Sequence, residues 1–389
     1  MCDIKNKYNL LQMLVSPVII LLLALTATSC RSNNLPKQGK FDWPMYLHDT
    51  SNSGRTNIKM ELPESISWTV SYSQIKAEDQ RVSDVVISGN KAFFITADGF
   101  LRALDVVDGT EEWKLYIRSQ IPDVAPCVSG DLVFSNVEPI VLAVSKDKPR
   151  EIWRFRTIGN VSRPTTPLVP SHRCIYFGTA DGNFYSISET DGHMVWRTDL
   201  TGNSQGNQAP CIIAGRVFIP SGGQVYGLDA DSGSVVWKSN ASKDGIDSAV
   251  VFDTGRLYFV GMETLYCLDA ETGDTIWSEK IPGADIGGPI IIDNKVIIGG
   301  DVLYCMDKGS GELMWQINDI GTVTTPIVSV NGLAVFGTDK GSLHFLDVET
   351  HKVIRELQLK GSVPSTISIT KDRIIVGSQE GIITCFGRK

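Results

Sequence analysis

The sequence predicts an all-β chain folded as an eight-bladed β-propeller of four-stranded antiparallel blades. Three observations indicate this fold: tryptophans recur at a near-constant spacing, the same tight turn precedes most of them, and the two ends of the chain supply complementary parts of one blade. A repeat of about 40–45 residues in a β-rich chain is typical of propeller blades. Successive tryptophans lie 38 to 45 residues apart, at Trp68, Trp113, Trp153, Trp196, Trp237, Trp277 and Trp315.

The repeat is best preserved in residues 266–277, which have the sequence YCLDAETGDTIW. This stretch predicts a strand, a tight turn at Gly273 and a further strand that ends at the tryptophan. The unit that contains Trp153 lacks the turn glycine, and the last unit has Arg355 where the tryptophan is expected. A β-sandwich with periodic tryptophans would not require the same turn in each unit, so the spacing and the turn together favour a propeller.

Each unit predicts the same four strands in order. The inner strand begins near a proline, as at Pro126 and Pro210, and proline at the first residue of a strand removes no hydrogen bond from the ladder. A short turn and an apolar second strand follow, and then a hairpin turn such as Asp98-Gly99, which is a strong hairpin signal. The third strand carries a small-x-Asp pattern, and the fourth strand ends at the tryptophan.

The two ends of the chain predict how the ring closes. Residues 362–369, 373–377 and 381–387 supply three strands after the last complete unit, and no tryptophan-bearing strand follows them. Residues 66–70 supply one strand that has no neighbour in sequence and carries Trp68. One strand plus three makes an eighth blade. A blade shared between the two ends leaves no exposed sheet edge.

The first residues predict export and lipidation. Two lysines precede an apolar stretch, residues 14–25, which leads into Ala27-Thr28-Ser29-Cys30. The stretch is short for a membrane span and is typical of a secretory signal. Small residues directly before a cysteine resemble a bacterial lipobox, which implies that residues 1–29 are a lipoprotein signal peptide and that Cys30 carries the lipid. The alternative is an ordinary signal peptide with an incidental cysteine.

Two further segments complete the predicted organisation. Residues 30–41 are polar and aperiodic, which indicates a lipidated flexible tether, and residues 42–389 form a single propeller domain. The start of that domain contains Trp43 and Tyr46, which is too aromatic for a linker, so we expect it to pack on the propeller. The chain of 389 residues has a formal charge of −8 and no basic cluster, which excludes nucleic-acid binding.

The sequence indicates no catalytic residue, no metal site and no cofactor. The five histidines are scattered, and no Cys-x-x-Cys or Cys/His metal spacing occurs. Cysteines recur instead at equivalent positions of the repeat, where other units have Ala, Gly or Ser, and this predicts small buried positions. They are Cys267, Cys305 and Cys385 in the third strand, and Cys127 and Cys211 after an Ala-Pro pair.

The unit small-x-Asp-x-x-Thr-Gly-x-x-x-Trp resembles the tryptophan-docking repeat of the pyrroloquinoline-quinone (PQQ)-type β-propellers over residues 42–387. The resemblance implies that each tryptophan lies between neighbouring blades, on the backbone of the Thr-Gly turn. One branch of the superfamily, the quinoprotein dehydrogenases, binds the quinone and Ca²⁺ over the central axis and typically carries two adjacent cysteines, which this chain lacks. Two alternatives stay open: a PQQ-dependent oxidoreductase, and a protein that binds carbohydrate or another small ligand at the channel.

The length, the lipobox and the eight plain blades resemble the BamB family, lipoprotein subunits of the outer-membrane β-barrel assembly machinery. This resemblance implies a monomeric, non-catalytic scaffold in the bacterial envelope, anchored by lipid to the periplasmic face of the outer membrane. Its partner would be another envelope protein, such as a barrel-assembly subunit, bound by loops before the inner strands of two consecutive blades. The matching loops here are 201–207 and 242–247, with Asn203, Gln205, Asn207, Asp244 and Asp247 as candidate partner-binding residues.

Overall fold

The computed structural model describes residues 42–56, 58–72, 82–118, 124–159, 164–200, 208–240, 242, 245–246, 248–284, 286–359 and 363–387, with the backbone alone at Ile286, Gly287 and Thr366. These residues contain no helix, and therefore none that could cross a membrane. Their 32 strands form eight four-stranded antiparallel sheets arranged in a ring, so the predicted eight-bladed propeller is confirmed.

Strands are numbered along the chain. The first is β1 (Ser65–Ser71), and the next sixteen form four blades in sequence. Blade 1 contains β2 (Val86–Ser88), β3 (Lys91–Thr96), β4 (Phe100–Asp105) and β5 (Glu111–Tyr116); blade 2 contains β6 (Cys127–Ser129), β7 (Leu132–Val137), β8 (Ile140–Ser145) and β9 (Glu151–Arg156). Blade 3 contains β10 (Val169–Ser171), β11 (Cys174–Gly178), β12 (Asn183–Ser188) and β13 (Met194–Asp199); blade 4 contains β14 (Cys211–Ile213), β15 (Arg216–Ser221), β16 (Gln224–Asp229) and β17 (Val235–Ser239).

The remaining strands form four more blades, the last of which includes β1. Blade 5 contains β18 (Val251–Asp253), β19 (Arg256–Gly261), β20 (Thr264–Asp269) and β21 (Thr275–Lys280); blade 6 contains β22 (Ile286–Ile292), β23 (Lys295–Gly299), β24 (Leu303–Asp307) and β25 (Leu313–Ile317). Blade 7 contains β26 (Val328–Val330), β27 (Leu333–Thr338), β28 (Ser342–Asp347) and β29 (Lys352–Gln358); blade 8 contains β30 (Pro364–Ile369), β31 (Ile374–Ser378), β32 (Ile382–Gly387) and β1.

Blade 8 closes the ring as the strand count predicts. β1 pairs antiparallel with β32, with Ser65 opposite Gly387 and Ser71 opposite Ile382. The first strand of the ring is thus the fourth strand of its last blade. Because of this pairing, β32 has a neighbour on both sides although the chain ends there. The structure confirms one strand plus three.

The third and fourth strands differ in one detail from the prediction. The fourth strand does not end at its tryptophan, because Trp277 is the third residue of β21 and the strand continues to Lys280. Ser278, Glu279 and Lys280 still pair with the first half of the third strand, so the ladder extends beyond the repeat motif. The prolines of the inner strands also shift slightly: Pro126 and Pro210 precede the strand instead of starting it.

The recurrent small position lies opposite the tryptophan. Its strand partners are Ala103 for Trp113, Gly227 for Trp237 and Cys267 for Trp277. A Cβ atom built on Gly227 would overlap the Trp237 ring, which explains why only small side chains occupy the position in these blades.

The cysteines of the repeat are free and buried, and they are Cys127, Cys211, Cys267, Cys305 and Cys385. Burial disfavours the charged thiolate, and it raises the pKa of Cys267 and of Cys385 to about 11. These thiols therefore belong to the packing of the blades, and their reactivity is low at neutral pH.

Candidate functional site

The tryptophans lie at the junctions between blades. Each of the five described here directs its indole N–H to a backbone carbonyl of the next blade, which fixes the two blades relative to each other. The donor and acceptor pairs are Trp68 to Val106 (3.0 Å), Trp113 to Lys146 (3.1 Å), Trp153 to Glu189 (3.0 Å), Trp196 to Ala230 (2.9 Å) and Trp237 to Ala270 (3.2 Å).

The turn glycine is required by a close approach of the ring. Gly233 has a φ of +71°, and a Cβ atom there would lie 2.5 Å from the ring of Trp196. Both the left-handed backbone and the contact exclude a side chain at this position. The same arrangement occurs at Gly109, Gly192, Gly273 and Gly311.

Two junctions depart from this geometry. The indole N–H groups of Trp277 and Trp315 have no hydrogen-bond partner among the described residues, and both rings are half-buried. Trp315 packs on the ring of His351, with 4.8 Å between ring centroids. His351 has a φ of 60°, and its N–H donates to Asp347 as a turn glycine does in other blades, so histidine takes the place of that glycine.

Arg355 replaces the tryptophan at the junction between blades 7 and 8. Its guanidinium donates to the carbonyl of Pro63, 2.7 Å away, just before β1. At this junction the third and fourth strands of the next blade are the two ends of the chain, and no turn joins them. The sequence pattern treats Arg355 as a degraded repeat position, whereas the structure gives its side chain a specific partner.

The other predicted site residues lie outside the described residues. They are the lipidation candidate Cys30 and the loop residues Asn203, Gln205, Asn207, Asp244 and Asp247. Their loops connect β13 to β14 and β17 to β18. Within each blade the strands alternate in direction, so the ends of β13 and β17 and the starts of β14 and β18 lie on one face of the ring, termed the loop face. The turns between strands one and two, and between strands three and four, share the opposite face, termed the turn face.

The described residues of 42–60, termed the lead-in segment, pack on the propeller as the aromatic residues predict, and they lie across its central channel. The central residue of an inner strand donates its N–H to this segment in five blades. These bonds join Ile87 to Trp43 (2.8 Å), Val128 to Pro44 (2.8 Å), Ile212 to Thr50 (2.6 Å), Phe252 to Ser51 (3.1 Å) and Ser329 to Gly54 (2.8 Å).

The residues at the centre do not fit the quinone and Ca²⁺ of the dehydrogenase branch. Trp43, Met45 and Leu47 are buried there, and the space between them and blades 1, 7 and 8 is about 20 Å³, room for roughly one water molecule. The described residues also contain no group of three His, Cys, Asp or Glu side chains that could hold a metal ion. Asp84 faces this small space, and burial raises its pKa to about 7.

A much larger cavity, about 680 Å³, opens at the turn face between the lead-in segment and blades 1 to 4. The lead-in segment bonds to blades 1 and 2 and then crosses to blade 4. Blade 3 makes no such bond, and the central residue of its inner strand β10 is Pro170, which has no N–H to donate. The volume lies in the range of small-molecule sites.

No repeat motif in the sequence indicates this cavity. Its signal would have been the turn after β10, His172-Arg173, which contains neither Gly, Asn nor Asp, although the equivalent turns of other blades do. The cavity itself depends on the path of the aperiodic lead-in segment, which no repeat pattern describes.

Two stretches of the chain, residues 137–237 and 221–362, match the family model described as outer membrane protein assembly factor BamB. Together they cover more than half of the 389 residues. The chain belongs to this family. The predicted resemblance to PQQ-type propeller repeats and to BamB is therefore confirmed.

Curated relatives match at low identity. BamB of Nitrosomonas eutropha is 28% identical over 178 residues, which is 44% of this chain and 42% of that protein. BamB of Shewanella oneidensis is 23% identical over 317 residues, 76% of this chain and 69% of that protein. Quinohemoprotein alcohol dehydrogenase ADH IIB of Pseudomonas putida is 27% identical over 116 residues, 25% of this chain and 17% of that protein. The chain thus spans less than half the length of two of these relatives.

Solved structures share the fold. BamB from Moraxella catarrhalis superposes with a TM-score of 0.67 at 15% identity, over 83% of this chain and 99% of that one. A europium-containing methanol dehydrogenase superposes with a TM-score of 0.74 at 12% identity, over 90% of this chain and 99% of that one. At these identities the likeness concerns the propeller fold alone, which enzymes and assembly factors share.

Proposed function

We propose that this protein is a lipid-anchored, non-catalytic scaffold that binds other envelope proteins on the periplasmic face of the bacterial outer membrane. Its role would be that of a BamB-like subunit in outer-membrane β-barrel assembly. The family match supports this role, as do two relatives named as outer membrane protein assembly factors. Residues 1–29 would be removed, Cys30 would carry the lipid, and residues 30–41 would link the lipid to the propeller.

The observation that carries the proposal is the lead-in segment at the centre of the ring. Trp43, Met45 and Leu47 are buried where a quinoprotein would need space for its cofactor over the axis. The ring around this segment presents loops on a rigid frame, and such loops commonly carry binding function. A scaffold needs no more than these exposed loops.

Loops 201–207 and 242–247 are the proposed partner-binding surface. They precede β14 and β18, the inner strands of adjacent blades, so both start from the same sector of the loop face. The two loops stand in the place of the family's contact loops: loop 201–207 has neither the Leu nor the Arg of that family, with Asn203, Gln205 and Asn207 as its candidates, and loop 242–247 keeps two Asp, Asp244 and Asp247. These loops can vary because the blade junctions, and not the loops, hold the frame together.

The partner surface can be tested with a pair of double variants. Gln205→Arg with Asp244→Arg adds positive charge on the loop face, and Asn90→Arg with Asp147→Arg makes the matched change on exposed residues of the turn face. Affinity purification from detergent-solubilised membranes should recover about tenfold less partner for the first variant, because unpaired charge in an interface is costly. The control should recover as much partner as the wild type, and both should keep the wild-type melting temperature.

Equal recovery for the two variants would reject the loop assignment. Dye-linked alcohol dehydrogenase turnover after addition of PQQ and Ca²⁺ to the purified protein would overturn the scaffold role itself.

The anchor has a separate test. Radiolabelled fatty acid should enter the wild type and not Cys30→Ala, which should be released from membranes without detergent, since a lipid is what holds the chain there. Equal labelling of both proteins would show that Cys30 is not the lipidated residue.

A further inference from the structure

The cavity of about 680 Å³ at the turn face has a polar rim and an apolar floor. The floor is formed by Pro44, Met45, Val128, Pro170 and Ile212. An apolar floor with a few polar groups at one side is the general form of a small-molecule site.

The rim carries hydroxyl groups at the last residue of the inner strand, where the other blades have none. Blades 1, 2 and 3 line the cavity, and their inner strands end in Ser88, Ser129 and Ser171. In the other five blades the same position is Ile213, Asp253, Ile292, Val330 or Ile369. Serine at this position therefore occurs in three of the four blades that line the cavity and in none of the other four.

The turn at the rim holds an unfavourable backbone. His172 and Arg173 have φ values of 49° and 64°, in the left-handed region that disfavours side chains other than those of Asn, Asp and Gly. The equivalent turns of six other blades contain a Gly or an Asn: Gly89-Asn90, Gly130-Asp131, Ala214-Gly215, Thr254-Gly255, Asp293-Asn294 and Asn331-Gly332. A Gly or an Asn in this turn would relieve the backbone strain. Residues in strained backbone conformations cluster at functional sites.

Two carboxylates at the rim, those of Asp42 and Asp49, already accept hydrogen bonds from the protein. Asp42 accepts from the Ser88 hydroxyl (3.1 Å) and the Gly89 N–H (2.8 Å). Asp49 accepts four hydrogen bonds from the backbone and hydroxyl groups of Ser51 and Ser53. Two of the three carboxylates at the rim are therefore already satisfied by the protein.

The cations are not satisfied in the same way. Lys146 uses one of its donors, on the carbonyl of Gly130 at 2.9 Å. Arg173 is exposed at the rim, and its guanidinium, with five N–H donors, has no hydrogen bond or ion pair to another described residue, which leaves these donors open to solvent or to a ligand. Glu189, the third carboxylate, is half-buried and attracts Arg173 from beyond 4 Å, and burial raises the pKa of Glu189. A ligand that meets these donors must bring acceptor atoms.

We propose that this cavity binds a small amphipathic anion, with a carboxylate or phosphate group toward Arg173 and Lys146 and a short apolar chain on the floor. The binding site would be separate from the loop-face surface and does not depend on the scaffold function. Arginine suits carboxylate and phosphate equally because its planar donors match both groups. The two sources of this chemistry, a fatty acid and a phosphorylated lipid fragment, differ only in the head group.

Four probes with one apolar chain test the head group: hexanoate, hexyl phosphate, hexan-1-ol and hexylamine. Ligand-observed NMR titration of the full propeller should give a Kd on the order of 1 mM or tighter for one or both anions, as expected for ligands of about eight heavy atoms. Binding of hexanoate or of hexyl phosphate identifies the source. Equal or tighter binding of hexan-1-ol or hexylamine, or no binding of any probe, would overturn the proposal.

Arg173→Asn separates a ligand-binding role from a structural one. Asparagine tolerates the left-handed turn, so the variant should melt about 1–2 °C higher than the wild type, while anion binding weakens at least about tenfold with loss of the charged donors. Thr254→Asn is the matched control, because Thr254 has a φ of 47° in the blade 5 turn, away from the cavity. It should keep wild-type anion binding. Wild-type binding by Arg173→Asn would rule out the proposed site.

Discussion

The junction between blades 3 and 4 and the junction between blades 7 and 8 use the same strand position for different side chains. In the first, Trp196 is 7% exposed, packs on Gly233 and donates to the carbonyl of Ala230. In the second, Arg355 reaches across to the carbonyl of Pro63. The difference follows from what the next blade offers: a continuous chain provides a turn on which a flat ring can lie, and two chain ends provide only a carbonyl. A repeat position can thus change its residue type without losing its role.

The largest loss of stability is expected from removing β1, which completes blade 8 and closes the ring. Deletion of residues 63–72 removes β1 and Trp68, which leaves β32 as an unpaired edge and blade 1 without its neighbour's ring. The variant should lose its cooperative urea unfolding transition or aggregate on size-exclusion chromatography. A monomer with an unchanged melting temperature would show that blade 8 does not need β1.

The next largest effect is expected at the intact junction. Trp196→Ala should lower the free energy of unfolding by about 3–5 kcal/mol, because removal of a buried ring between Tyr176, Phe184 and Gly233 leaves a cavity. Urea unfolding measures the change. Trp196→Phe serves as a control that keeps most of the packing and loses the hydrogen bond, and it should cost about 1–2 kcal/mol.

A smaller loss in the free energy of unfolding is expected at a blade junction that lacks the indole hydrogen bond. Trp277 is half-buried, and its N–H has no partner among the described residues, so Trp277→Ala should cost about 1–3 kcal/mol. The same unfolding assay applies. A loss as large as that of Trp196→Ala would mean that the hydrogen bond and the deeper burial of Trp196 contribute little.

The smallest change is expected from restoring the repeat residue at the closing junction. Arg355→Trp should destabilise the protein by about 1–2 kcal/mol, because the hydrogen bond to Pro63 is lost and the large Phe345 lies opposite, where other blades have a small residue. Arg355→Met, which keeps the side-chain length without the charge, isolates the hydrogen bond. A more stable Arg355→Trp protein would show that the position still prefers a ring.

The repeat pattern predicts the ring because its contacts are local. Hairpin turns, the spacing of the tryptophans and the count of strands at the two ends are all properties of short stretches, and together they specify eight blades and their closure. The small position of the third strand could be predicted for the same reason. Ala103, Gly227 and Cys267 each lie opposite the tryptophan of their own hairpin.

The remaining features depend on contacts between distant parts of the sequence. Arg355 meets Pro63 across 292 residues, and the pattern alone could only record a missing tryptophan. His351 takes the place of a turn glycine, and the ring of Trp315 from the neighbouring blade packs against it. The repeat pattern of one blade does not contain this contact. The cavity arises from the absence of one N–H at Pro170 and from the path of the lead-in segment, neither of which has a periodic signature.

The pairing of β1 with β32 has a consequence for the order of folding. Nearly every other strand of the ring finds its partner within one hairpin, whereas β1 is made more than 300 residues before β32. At a synthesis rate of about 5–20 residues per second, this strand waits roughly 15–60 seconds for its neighbour. Seven blades can form by local steps in the meantime, and the eighth must wait for the last residues of the chain. Completion of the eighth blade therefore needs a long-range encounter, and contacts of this kind are slow to form.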